Sequence, residues 1–149
     1  MAIRNANSLP DGSAFDVLFH EKMLQYRSVM PAIITAVNLD GGALISVDVQ
    51  PAINLTISLT GDGDQVQFQK LPVIPNCPLL MPYGTSSGFS VSFPVKVGDS
   101  CLILCADRSI DSWQLQGGTQ NPAETVVPRT RELTDAICIP GLIHSKIGI

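Results

Sequence analysis

Charge is what this chain has least of. Nine basic and thirteen acidic residues make 15 % of the 149, against roughly 25 % in an average soluble domain. The net charge is −4, and the cations are scattered: Lys22, Lys70, Lys96, Lys146, Arg4, Arg27 and Arg108, with only Arg129 and Arg131 close together. A nucleic-acid binder carries a basic stripe, and none is written here. Aromatics are also sparse, at 5 %, so a ladder of stacking platforms on basic strands is absent as well. Mean hydropathy is positive, +0.26, yet no apolar run approaches the ~18 residues of a membrane-spanning helix. A surface this poor in charge and this rich in neutral or apolar groups points to obligate assembly. The plainer alternative is a compact β-protein dressed in Ser, Thr, Asn and Gln.

Catalytic chemistry is missing in the same way. His20 and His144 are the only histidines. No G-x-S-x-G nucleophile turn and no Gly-Lys-[ST] phosphate loop occurs. The Gly61-Asp62-Gly63-Asp64 run lacks the spacing and the closing Glu of a calcium loop and reads as a hairpin loop. The cysteines Cys77, Cys101, Cys105 and Cys138 form no CxxC pair, which argues against zinc. Cys101 and Cys105 lie four apart on one strand, about 13 Å, too far for a disulfide. The N-terminal MAIRNANSLPDG has no apolar h-region, so the expectation is a reducing cytosol in which the thiols act as small hydrophobes. No cofactor, metal or enzymatic activity is expected.

What is present is short, alternating and punctuated by turns. After a polar arm, Ser13 opens the one long helix, to about Ser28. Phe15, Leu18, Phe19, Met23 and Tyr26 form one stripe, docked either on the same domain or on a neighbouring subunit. Pro31 is expected to stop it. Strands follow at 32–38, around Ile45, Val47 and Val49, and over Ile53, Leu55, Ile57 and Leu59, with Asp40-Gly41-Gly42 as a turn. Val66 and Phe68 belong to a returning strand. Residues 71–84 hold four prolines, which forbid a central strand and allow an extended edge segment. Phe89, Val91 and Phe93 alternate with Ser90 and Ser92 as in a half-buried strand. Gly98-Asp99 is a turn, and Cys101–Cys105 reads as a strand covered on both faces.

Asp107 is expected to cap a helical turn carrying Ile110 and Trp113, with Gly117-Gly118 as its stop. Trp113 would be the lid of the core. Asp99, Asp107 and Asp111 are assigned to a turn, a helix cap and pairing with Arg108 respectively. Residues 129–149 return to β character, with Pro140-Gly141 as a turn or bulge. The sum is a mainly β, small five-stranded barrel with an N-terminal α-helix and a C-terminal β exit segment. Pattern alone leaves OB-fold-like and SH3-like barrels both open. The divisions are an arm and helix over 1–29, a barrel over 30–130 and the exit over 131–149.

One stretch carries a resemblance. Residues 93–118, FPVKVGDSCLILCADRSIDSWQLQGG, followed by 131–142, RELTDAICIPGL, resemble the N-terminal OB-fold domain of the central spike, or membrane-puncturing, proteins of contractile-tailed bacteriophages. The matching residues include Gly98, Asp99, Asp107, Arg108, Ser109, Asp111, Trp113, Asp135, Pro140 and Gly141. The resemblance implies a non-enzymatic homotrimer at the centre of a virion tail baseplate, assembled in the host cytoplasm. A tail hub would sit above it and a needle or tip protein below, the membrane being touched only through the tip. It also moves the weight to an OB-fold. The candidate trimer and partner interface is Leu133, Ala136, Ile137, Ile139, Leu142 and Ile143 of the exit, with Phe15, Phe19, Val73 and Leu79. Members continue beyond the exit into a needle, some ending in an iron-holding tip; here only eight residues follow Gly141, with His144 alone, so tip metal binding is not carried over. An OB-fold nucleic-acid module is the alternative function.

Overall fold

In the computed structural model, residues 11–59, 66–84, 88–117 and 127–146 are described. Residues 1–10 of the polar arm, the 61–64 loop, the 85–87 tip and most of the 119–128 loop lie outside them, and the helix begins at Asp11 rather than Ser13. The order is α1 (Asp11–Gln25), β1 (Val29–Asp40), β2 (Ala43–Pro51), β3 (Leu55–Leu59), β4 (Val66–Gln69), β5 (Ile74–Cys77), β6 (Tyr83–Gly84), β7 (Phe89–Ser90), β8 (Ser100–Cys105), α2 (Asp111–Leu115) and β9 (Ala136–Pro140). Five strands make one sheet in the order β5-β2-β1-β8-β9, with β3-β4 and β6-β7 as separate hairpins.

The sheet curls until its edges meet. Past β5, the Leu80 N–H donates to the Cys138 carbonyl at 2.8 Å and the Cys138 N–H donates to the Pro78 carbonyl at 2.9 Å. That parallel bridge joins Leu79 to β9. The result is a partly open, five-stranded OB-fold-like barrel, as the sequence pattern and the resemblance imply. Its core is made of the inward sides of all five strands: Ala32, Ile34, Val47, Val49, Ile74, Cys77, Cys101, Ile103, Ala136 and Cys138.

Two bulges adjust the strand pattern. The β1–β2 register slips between Ile34 and Ala36, leaving Thr35 as an extra residue, and again at Asn38/Leu39, leaving Ile45 extra. A bulge flips the alternation. Val47 and Val49 therefore point inward, Leu44 takes the next inward place, and Ile45 is turned out, 58 % exposed. Gly41 and Gly42, at φ 56° and 87°, supply the two left-handed residues that a tight I′ hairpin requires.

Several expectations need correction. The helix ends at Gln25, before Pro31. Its last carbonyls are taken by the Tyr26 N–H (to Met23, 3.2 Å) and the Arg27 guanidinium (to Leu24, 3.2 Å), a favourable place for a cation. Pro31 lies inside β1 instead. Its carbonyl accepts from Ala52 at 2.9 Å, so its missing N–H points to where β2 has just ended. Every described side chain from Ala14 to Tyr26 is exposed, so the stripe does not dock on its own barrel. Ile53 lies before β3 and is exposed. The strand expected at 89–93 shrinks to Phe89–Ser90, and Phe89, Val91 and Phe93 are 82 %, 53 % and 60 % exposed. On β8, Cys101 and Ile103 are buried, while Leu102 and Leu104 are half-buried. The proline segment is an edge strand, as its composition requires.

Candidate assembly surface and the clamp beneath it

The 107–111 turn and the exit strand are fastened by one buried carboxylate. Asp135 is fully buried. Arg129 grips it with two bonds, Nε to Oδ2 and Nη2 to Oδ1, each 3.1 Å, the fork geometry that suits a guanidinium. The Ile110 backbone N–H adds a third at 3.2 Å. The same Nη2 reaches Asp111 at 2.5 Å and the Ser109 hydroxyl at 2.8 Å. Hydrogen bonds to Asp111 and then to Asp135 raise the pKa of Arg129 further. This cluster ties the 109–111 turn to residues 129–135 in one corner. The sequence shows Asp135 and Ser109 only as motif positions, because nothing local links residue 135 to residue 110.

Asp107 does not cap α2. No side chain caps that helix; Asp107 is exposed and pairs with Arg108 at 3.7 Å and Arg131 at 3.3 Å. Asp111 pairs with Arg129 rather than Arg108. Trp113 is 46 % exposed and α2 buries nothing, so it is no lid. Asp99 does close the turn: its Oδ2 accepts from the Lys96 N–H at 2.8 Å, and Gly98 takes φ 96°. Gly117, at φ 65°, ends α2. A second polar network runs along β2, where Asp48 Oδ1 accepts from the Asn38 amide (2.9 Å) and the Asn76 N–H (3.0 Å). Asn76 sits at φ 54°, a conformation Asn tolerates.

The exit residues divide between two faces. Ala136 is 1 % exposed and belongs to the core with Cys138, so no neighbour can reach it. Leu133 packs against that core in a 3-10 turn. Ile137 and Ile139 face outward, opposite Leu104 and Leu102, which lie opposite Val29 and Pro31 in turn. Partners in register share a face, so β1, β8 and β9 carry two outward apolar rows, Val29–Leu104–Ile137 and Pro31–Leu102–Ile139. At Gly141 the exit strand bulges, with Gly141 and Leu142 both donating to the Ser100 carbonyl at 3.2 Å. Leu142 and Ile143 beyond it are exposed. Leu79 is half-buried against the core and bridged to β9; Val73 is exposed. Phe15 and Phe19 stack on α1 with centroids 6.3 Å apart.

The environment holds two of the buried thiols, Cys77 and Cys138, in the protonated form, while the hydrogen bond with Cys138 lowers the pKa of Cys101. Burial first, with Cys101 and Asp48 contributing, pushes Cys77 up to about 12. A hydrogen bond to Cys101 and burial raise Cys138. All four cysteines are free, and no cluster of metal-binding side chains occurs among the described residues. None of the helices among them is long and apolar enough to cross a membrane. What the geometry offers is apolar surface on a clamped frame.

A family model described as the N-terminal domain of phage protein Gp138 matches residues 30–141. This chain belongs to the Gp138 N-terminal domain family. Membership places it among phage structural proteins. The match runs from Met30, in β1, to the Gly141 bulge that follows β9, so the Gp138-type unit is the barrel with its clamp, and α1 lies outside it. A comparison with curated proteins finds no match.

Proposed function

We propose that this chain is a central-spike or spike-adaptor protein of a contractile phage tail, a homotrimer that transmits force for puncture of the host outer membrane. The observation that carries the reading is the Gp138-family match over the whole barrel. The outward rows of β1, β8 and β9 support it, because they put an uncharged apolar face on the strand that leads to the exit. Three copies around an axis would bury that face. The protein works without turnover, between a hub above and a needle or tip protein below, in the baseplate of the virion. The clamp suits this role: a load on the exit strand passes through Asp135 and Arg129 into the 107–111 turn rather than peeling β9 from β8. A nucleic-acid module is disfavoured because the cations are scattered along the chain and the groove that holds exposed Phe93 is lined by no charged side chain.

Sedimentation equilibrium of the purified chain tests the reading. A mass three times 15.9 kDa is expected. A monomer that persists at high concentration overturns the trimer.

A further inference from the structure

The one tryptophan of this chain has no structural task. Trp113 is 46 % exposed, and α2, which carries it, buries no residue. It does line an open cleft of about 670 Å³ between α2 and the β2–β5 side of the barrel, a volume within the rough 300–1,000 Å³ range of ligand pockets. The other side chains there are Ile45 and Ser46 of β2, Asn76 of β5 with Pro78 after it, and Gln114 of α2. An indole, two carboxamides and a hydroxyl therefore converge on one space, and no charged side chain lines it.

The polar groups on the barrel side are held from behind. Asn38 Nδ2 donates to the Ser46 hydroxyl at 3.0 Å and to the Asn76 side-chain oxygen at 3.3 Å. The Asn76 N–H donates to Asp48 Oδ1 at 3.0 Å, and Asn76 sits at φ 54°. Groups fixed in this way lose little freedom when a ligand arrives. Bonding capacity remains: the Asn76 side-chain NH2, the Ser46 hydroxyl proton and the Gln114 carboxamide have no partner among the described residues.

The place in the fold agrees. Counted along the chain, β1, β2, β5, β8 and β9 are the five barrel strands. The cleft is thus formed by the second and third strands and by the connection from the fourth to the fifth. OB barrels that take oligonucleotides or oligosaccharides bind them there. The fold does not choose between the two; the side chains do. A nucleic acid requires cations along its phosphates. This cleft has none, and the Asp48 carboxylate lies one hydrogen bond behind Asn76. A pyranose needs an aromatic ring against its apolar C–H face and groups that both donate to and accept from its hydroxyls, as carboxamides and a serine hydroxyl do. We infer that this cleft binds a neutral pyranose glycan, with Trp113 as the apolar platform and Asn76, Gln114 and Ser46 as its hydrogen-bonding partners. The site stands apart from the self-assembly proposed above.

Trp113 is the only tryptophan in the chain, so its emission reports on this cleft alone. Titrating the full chain with maltoheptaose, cellohexaose and chitotetraose should change that emission saturably for at least one of the three. A dissociation constant on the order of 1 mM is expected, since few ring atoms make contact. Saturation-transfer NMR of the same glycan should lose its signal with Trp113→Ala and show binding at least threefold weaker with Gln114→Ala. Both residues are exposed, so both variants should keep the β-sheet circular dichroism of the wild type. No saturable change with any of the three glycans overturns the inference. Binding that survives Trp113→Ala, or that Gln114→Ala leaves unmoved, overturns it as well. Emission that responds to a thymidine oligonucleotide and to no glycan overturns it and gives the cleft to nucleic acid.

Discussion

The clamped corner and the open groove lie on the same barrel and are built on opposite rules. At the corner, one carboxylate with no exposed surface is matched by a guanidinium and a backbone N–H, and among the described residues no buried side-chain polar atom lacks a partner. At the groove, large apolar groups stand in solvent: Phe93, Tyr83 and Leu39 are all more than half exposed, as is Phe89 on β7. A corner that is complete within one chain fixes the fold. A surface left open within one chain does not fix the fold. The difference separates residues that hold this barrel together from residues on which the proposed assembly would act.

The sharpest way to break that comparison is to cut the clamp. Asp135→Ala removes a fully buried carboxylate and leaves the Ile110 N–H unanswered, while Arg129, partly exposed, keeps Asp111. Urea denaturation should show a large fall in midpoint, and a loss under about 1 kcal/mol would mean the corner is not structural. A core truncation is next. Ile34→Ala empties a fully buried site and should cost about 2–5 kcal/mol, checked in the same titration. Gly98→Ala meets nothing within 4 Å but must hold φ 96°, so strain alone acts; about 1–2 kcal/mol is expected.

How much of this could be read from the sequence follows the same division. Turn chemistry was legible wherever one residue type is forced: Gly41-Gly42 and Gly98 by their φ, and the prolines of 71–84 by their missing N–H groups. The OB-like barrel was legible once the motif resemblance joined the strand spacing. The bulges at Thr35 and Ile45 were not, because period-2 patterning cannot register an inserted residue. Phe89, Val91 and Phe93 misled for a deeper reason. Alternation shows that one face avoids water, and says nothing about whether the chain's own core or another surface will cover it. The clamp was invisible because Arg129, Asp135 and Ile110 meet only through the fold, and Asp107, with the residue type of a cap, was assigned a bond that the structure gives to Arg131.

Alkaline pH should loosen the core. Cys77 has a folded pKa of about 12 against an ordinary value of 9.0, and Cys138 is raised as well. A raised folded pKa gives stability that is complete below the unfolded value and lost as pH rises through the folded one. The thermal midpoint should therefore hold up to pH 9 and fall between about 9 and 12. Cys77→Ala should flatten that limb. A slope identical to wild type would show that other groups drive it. At pH 8, iodoacetamide should modify half-buried Cys105 before Cys77, Cys101 or Cys138.

The smallest effect is the most telling one for the exposed apolar surface. Phe89→Ser removes the most exposed aromatic in the described structure from a place where it touches little. If that side chain belongs to the chain's own stability, its loss must register in unfolding. If it belongs to an assembly surface, the dilute monomer should not notice, and a change within about ±0.5 kcal/mol is expected. Unfolding is measured at concentrations low enough that self-association contributes nothing, since any partner bound only to the folded form adds apparent stability. A loss above 1 kcal/mol under those conditions would place Phe89 in a core that the present structure leaves open. A null result, set beside the large loss in Asp135→Ala, would confirm that this barrel is stable without the apolar surface it exposes.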